Sequence, residues 1–144
     1  MLFQASAVEI DGRAMLFEGP PGSGKSSLAL SLIDRGAKLI GDDGVSLEVV
    51  GDHLLASPPP NIAGMLEIRG VGLVTFPTAT GIPVSLILSL VEEGHAERLP
   101  GMLVERDIMG IKIPVLPFVP GTKAPAIRTE WALKVHGLTV SQSE

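Results

Sequence analysis

No cysteine and no tyrosine occur among the 144 residues, and aromatic side chains make up only 3%, with Trp131 the single tryptophan. The first absence excludes disulfides, thiol catalysis and cysteine-based zinc sites, and it is compatible with a reducing cytoplasm, the expected location. The scarcity of aromatics removes the platforms on which single-stranded nucleic acid stacks. A basic run is missing as well: 11 Lys and Arg are scattered among 16 Asp and Glu, for a net charge of −5, so no nucleic-acid-binding face is expected. The longest apolar run, Ile82 to Val91, is interrupted by Pro83 and by serines. It falls short of the roughly 20 apolar residues that span a bilayer as a helix, so no membrane partner is expected. The opening MLFQASAVEIDGR contains acids and no charged start leading into an apolar stretch, and so does not read as a signal peptide.

What is present is 45% hydrophobic residues, enough in a chain of this length to bury a sizeable core, and one domain over residues 1–144 is expected. The stretch that organises it runs from Arg13 to Asp43. Gly19, Pro20, Pro21, Gly22, Ser23, Gly24, Lys25 and Ser26 satisfy G-x-x-x-x-G-K-[ST] at every fixed position. Ala14 to Phe17 before them is apolar and of buried-strand length, and Leu28, Leu32 and Ile33 after them fall on one side of a helix. Strand, glycine-rich loop and helix are the context a phosphate-binding loop needs. Without a Cβ, the glycines let the backbone turn its N–H groups inward around phosphate oxygens at the positive end of the helix. Lys25 supplies a point charge to the β- and γ-phosphates, and the Ser26 hydroxyl is placed to ligate Mg²⁺. The alternative is a Gly/Pro-rich turn with an accidental lysine; the correct flanks on both sides favour phosphate binding strongly.

Around this stretch the chain reads as strands. Ser6–Ile10 and Arg13–Glu18 are joined by the hairpin signal Asp11-Gly12. Gly36 is a natural helix stop, with Arg35 favourably near the negative end. Lys38–Ile40, Val45–Val49, His53–Ala56, Leu66–Arg69, Leu73–Phe76, Val84–Val91 and Ile111–Val115 are further strands, with Val84–Val91 central in the sheet. Ser57–Asn61 and Pro117–Pro125 read as loops, Glu92–Gly110 as polar and irregular, Ala126–Val135 as a second helix, and the ending GLTVSQSE as frayed. This is not the strict strand–helix alternation of a doubly wound nucleotide-binding fold.

Phosphoryl transfer needs a metal ligand beyond Ser26 and, for a hydroxyl acceptor, a carboxylate to take its proton. Asp42 and Asp43 end the strand after the loop helix and suit both roles; Asp-Gly turn chemistry explains them equally well. His53, His95 and His136 are isolated and form no metal-ligand spacing.

The combination of GPPGSGKSSLALSLIDRGAKLIGDD with LEIRGVGLV resembles the C-terminal catalytic domain of HPr kinase/phosphorylase, in which the same loop and acidic doublet accompany an L-E-[IV]-R-G-[LV]-G signature. The match is close from Gln4 to Gly72 and looser beyond. It implies an α/β fold with a phosphate loop in a phosphoenolpyruvate carboxykinase-like core, a mixed, strand-rich sheet and two main helices. It implies ATP and Mg²⁺ as cofactors, phosphorylation of a serine of an HPr-type phosphocarrier protein, reversal with inorganic phosphate, and a hexameric homo-oligomer. By residue it implies Lys25 and the loop, including Ser27, on phosphate, with Ser26, Asp42 and Glu67 on the metal. Asp42 and Asp43 are metal contact and proton acceptor, Asp43 being the preferred base. Arg98 in Glu97-Arg98-Leu99-Pro100 resembles a catalytic arginine, with a solvated surface arginine as the competing reading.

Three departures bear on the reverse reaction. Gln4 stands where the family carries a histidine, and glutamine cannot shuttle a proton. Ser27 replaces a common acid, and Pro117 to Lys123 is a reduced form of the P-V-R-P-G-R-N segment. The family's N-terminal domain is also expected to be absent, as in the short form of alphaproteobacteria that the chain resembles. A serine kinase for HPr-like phosphocarriers is therefore the leading expectation, with phosphorolysis open. An ATP-binding regulatory module with little turnover and a small-molecule phosphate-loop kinase are the alternatives.

Overall fold

The structure, a computed structural model, describes residues 1–60 and 64–139. Asn61, at the end of the expected Ser57–Asn61 loop, and the last five residues of the ending expected to fray lie outside the described residues. The elements in order are β1 (Leu2–Phe3), β2 (Ser6–Ile10), β3 (Arg13–Glu18), α1 (Lys25–Asp34), β4 (Lys38–Gly41), β5 (Val45–Val50), β6 (His53–Ser57), β7 (Met65–Ile68), β8 (Gly72–Thr75), β9 (Ile82–Leu90), β10 (Val104–Ile108), β11 (Ile111–Phe118) and α2 (Pro125–His136). Among the described residues no helix is long and apolar enough to cross a membrane.

β9 is the central strand, as its mostly apolar run of strand length predicts. It pairs in parallel with β3 from Ala14↔Val84 to Glu18↔Ser89, with β11 in parallel from Val115↔Ile87 to Phe118↔Leu90, and with β6 antiparallel at its start through Leu55↔Pro83. The nine-stranded sheet runs β1-β5-β6-β9-β3-β2-β4, with β10 and β11 continuing beside β9, and β7 and β8 form a separate hairpin. Strand alternation sends β3 and β9 side chains to two apolar clusters. Met15, Phe17, Leu86 and Leu88 meet Leu28, Ala29 and Leu32 of α1 and Leu133 of α2; Ala14, Leu16 and Ile87 meet Val45 and Leu47 of β5 and Leu54 and Ala56 of β6. All of the named β3 and β9 side chains are fully buried, so the strand that leads into the Gly19–Ser26 loop is fixed from both faces.

Asp11 and Gly12, at φ 52° and 82°, close the β2–β3 hairpin as a two-residue turn with both residues left-handed. Met109 and Gly110, at φ 52° and 89°, do the same between β10 and β11. That second hairpin corrects the reading of Glu92–Gly110 as wholly irregular. Glu105, Arg106 and Asp107 interrupt apolar alternation, yet they pair with Pro114, Ile113 and Lys112, because among the described residues β10 pairs with β11 alone and its residues need not be buried on both faces. β11 also extends through Pro117 to Phe118, three residues beyond the expected Ile111–Val115 strand.

Candidate active site

Glu18 ends β3 and Gly19 begins the turn. A Cβ at Gly19 would come within 2.6 Å of Ser23 Oγ and 3.3 Å of Leu90 Cβ, so only glycine lets the chain pass there. Pro20 and Pro21 form the exposed tip, and the Pro20 carbonyl accepts the Ser23 N–H at 3.1 Å. Gly22 has φ 83°, and Gly24, at φ 100°, is the N-cap of α1, its carbonyl accepting the Leu28 N–H at 2.9 Å. Among the described residues no side chain caps this helix end. The N–H groups of the first turn therefore remain available to an anion.

Lys25 folds back over the loop, donating from Nζ to the Gly19 carbonyl at 2.5 Å. Ser23 Oγ is buried and has no hydrogen-bond partner among the described residues. A buried hydroxyl without a partner costs about 1–3 kcal/mol. An uncapped helix, an inward lysine and an orphaned hydroxyl together fit a phosphate chain laid along the loop.

Across from the loop, Ser26 Oγ donates to Asp42 Oδ1 at 2.7 Å, and the fully buried Ser6 donates to the same oxygen at 2.9 Å. The Asp43 N–H reaches Ser6 Oγ at 3.4 Å. Asp43 is left-handed at φ 62° and exposed, a conformation carrying roughly 1–3 kcal/mol of strain for a non-glycine residue. The Gly41–Gly44 turn leaves little room: a Cβ on Gly41 would sit 2.1 Å from the Gly44 carbonyl oxygen. Ser26 and Asp42 thus offer hard oxygens side by side, the donor type that suits Mg²⁺. Among the described residues no group of three or more His, Asp or Glu side chains converges, so a metal held here would complete its shell with phosphate and water.

The remaining expected residues are placed differently. Ser27 is exposed on the first turn of α1. Glu67 is exposed on β7, which packs beside α1, and no hydrogen bond or ion pair joins it to Ser26 or Asp42 among the described residues. Arg98 is exposed between β9 and β10 and makes no ion pair among the described residues.

The arginine that reaches the loop's entry is Arg106 of β10. It grips Glu18, the residue before Gly19, through both guanidinium nitrogens, with Nη2 to Oε2 at 2.8 Å. These hydrogen bonds raise the Arg106 pKa above its ordinary value; partial burial opposes the shift and the charge of Glu18 adds to it. Ser6 and Arg106 escaped the sequence reading as site residues because their partners lie 36 and 88 residues away. The only local hint was that Glu105-Arg106-Asp107 precedes Met109-Gly110, a two-residue hairpin turn.

A glycine-cornered loop opening into an uncapped helix, with a lysine over it and a serine–aspartate pair beside it, is suited to binding a phosphate chain and transferring its terminal group. The chain belongs to the HPr Serine kinase C-terminal domain family, whose model matches residues 2–136. It is 32% identical over 132 residues to the HPr kinase/phosphorylase of Clostridium tetani, covering 83% of this chain and 43% of that protein. It is 36% identical over 116 residues to the HPr kinase/phosphorylase of Ralstonia nicotianae, covering 74% and 36%. The chain therefore spans less than half the length of these curated relatives. Among solved structures, the Hpr(Ser) kinase/phosphatase from Coxiella burnetii superposes with a TM-score of 0.83 at 28% identity, covering 94% of this chain and 95% of that one.

Proposed function

We propose that this chain is a cytoplasmic, phosphate-loop catalytic domain with a phosphoenolpyruvate carboxykinase-like core. It transfers the γ-phosphoryl group of ATP to a serine of an HPr-type phosphocarrier protein. The observation that carries the reading is the Ser26–Asp42 hydrogen bond set against a loop whose buried Ser23 hydroxyl has no partner among the described residues. The names of the relatives, kinase with phosphorylase or phosphatase, support it.

The loop amides, Ser23 and Lys25 hold the phosphates. Mg²⁺, when bound by Ser26 and Asp42, supplies charge neutralisation at the transferring group. The substrate serine oxygen forms the new bond to the γ-phosphorus as the bond to the ADP oxygen breaks, and Asp43, exposed beside Asp42, accepts the serine proton. Glu67 and Arg98 join this reading only if the bound phosphocarrier or a second copy in a homo-oligomer, hexameric by resemblance, draws them in.

Incubation with Mg-ATP and an HPr-type protein, followed by mapping of phosphoserine, tests the proposal. Wild type should yield one phosphoserine and Lys25→Ala none. Lys25→Ala should keep its thermal stability without ATP and lose the ATP-induced shift. The reverse, phosphorolytic reaction should be slow, since Gln4 cannot deliver a proton.

A further inference from the structure

Ser6 lies on β2, the strand between β3 and β4, and is fully buried. Beside it the β2–β4 ladder shifts register: Val8 pairs with Leu39 but Ala7 with Gly41, which leaves Ile40 as an extra residue on β4. A bulge of this kind bends its strand and re-aims the side chains beside it. The consequence falls on the acids. In the Val8↔Leu39 register Ser6 would stand opposite Gly41; in the shifted register it stands opposite Asp42, and the two side chains are hydrogen-bonded.

A serine hydroxyl has one proton to donate and two lone pairs that accept. Ser6 gives its proton to Asp42 Oδ1 at 2.9 Å and accepts the Asp43 N–H at 3.4 Å. Ser26 donates to the same Asp42 oxygen at 2.7 Å, so two hydroxyl protons converge on Oδ1, while Oδ2 takes part in no hydrogen bond among the described residues. Asp43 is left-handed at φ 62°, a conformation that persists only where its surroundings hold it. We infer that Ser6 is a positioning residue for phosphoryl transfer: its one buried hydroxyl turns the Asp42 carboxylate so that Oδ2 is the oxygen left for the metal, and it secures the backbone that presents Asp43. The inference rests on the proposed reading of Asp42 as metal contact and Asp43 as proton acceptor. Partners that orient a metal ligand from behind account for about 10- to 100-fold in metal affinity or activity. Asp42 keeps Ser26 as a donor when Ser6 is lost, which sets the expectation at the lower end, about tenfold.

The test compares wild type, Ser6→Ala and Ser6→Thr as full chains, by isothermal titration with ATP in EDTA and in Mg²⁺ and by single-turnover transfer to an HPr-type protein. Ser6→Ala should bind ATP in EDTA as wild type does, because the Gly19–Ser26 loop is untouched. Its gain in ATP affinity from Mg²⁺ and its transfer rate at saturating ATP should each fall by about tenfold. Ser6→Thr keeps the hydroxyl at a strand position that suits a β-branched residue, and should recover most of both losses. Wild-type values for Ser6→Ala in both Mg²⁺ measurements, an equal loss of ATP affinity in EDTA, or a threonine variant no better than alanine would overturn the inference. Wild type that forms no phosphoserine, or that gains no ATP affinity from Mg²⁺, would count instead against the reading of Asp42 and Asp43, and the role of Ser6 would fall with it.

Discussion

Ser26 and Asp42 are joined by a 2.7 Å hydrogen bond that ties the first turn of α1 to the end of β4. If this pair holds Mg²⁺, Asp42→Asn and Ser26→Ala should each raise the metal concentration needed for half-maximal transfer by about tenfold or more. Asp42→Ala should in addition cost roughly 1–3 kcal/mol of stability, because the fully buried Ser6 hydroxyl loses its acceptor. Metal titration and urea denaturation separate the two effects. A metal requirement unchanged in both single variants would remove the pair from the metal site.

Gly41→Ala tests the turn that presents the two acids. Its Cβ would fall 2.1 Å from the Gly44 carbonyl oxygen, so the Asp42-Asp43 segment has to move. Stability should drop by about 1–3 kcal/mol, whereas Gly101→Ala, with nothing within 4 Å and ordinary backbone, should stay within about 0.5 kcal/mol of wild type. Thermal unfolding of the two variants side by side provides the comparison.

The Glu18–Arg106 pair should contribute modestly to stability. The two side chains are 22% and 39% exposed, so solvent screening limits their coupling to about 1 kcal/mol or less. A double-mutant cycle with Glu18→Gln and Arg106→Ala should give that value and a smaller one at high salt. Arg106→Lys should not restore it, since lysine cannot grip both carboxylate oxygens. Full restoration by lysine would show that charge alone matters.

The parts of this site that were legible in the sequence are those whose geometry is set by neighbours in the chain. Gly19, Gly24 and Lys25 are spaced by the loop itself, Asp11-Gly12 announces a turn by its own conformational preference, and β9 shows as a mostly apolar run of strand length. Residues whose roles depend on distant partners were not legible. Among the described residues β10 carries three consecutive charges because β11 is its one partner strand, and two-residue β1 is defined by pairing with β5 alone. Pro117 reads as the start of a loop, yet β11 keeps it, since it stands beyond the last residue that pairs with β10. Ser6 looked like an ordinary strand residue, and its hydrogen bond to Asp42 arises only when β2 and β4 pair.

Gln4 lies two residues before Ser6, just ahead of β2, and is exposed. Gln4→His should raise phosphorolysis selectively, by on the order of the 10²-fold that a positioned acid–base group supplies, with little change in the forward reaction. Initial rates in both directions on the same preparation provide the check. Wild type that runs phosphorolysis as fast as phosphorylation would refute the role given to position 4.

The central claim is tested most directly by a single-turnover measurement of γ-phosphoryl transfer from ATP to the serine of an HPr-type protein, comparing wild type with Asp43→Asn while nucleotide binding is followed separately. The account predicts phosphoserine formation by wild type, and in Asp43→Asn a loss of transfer on the order of 10²-fold or more with ATP affinity retained. Absence of phosphoserine with wild type, or wild-type transfer by Asp43→Asn, would contradict it.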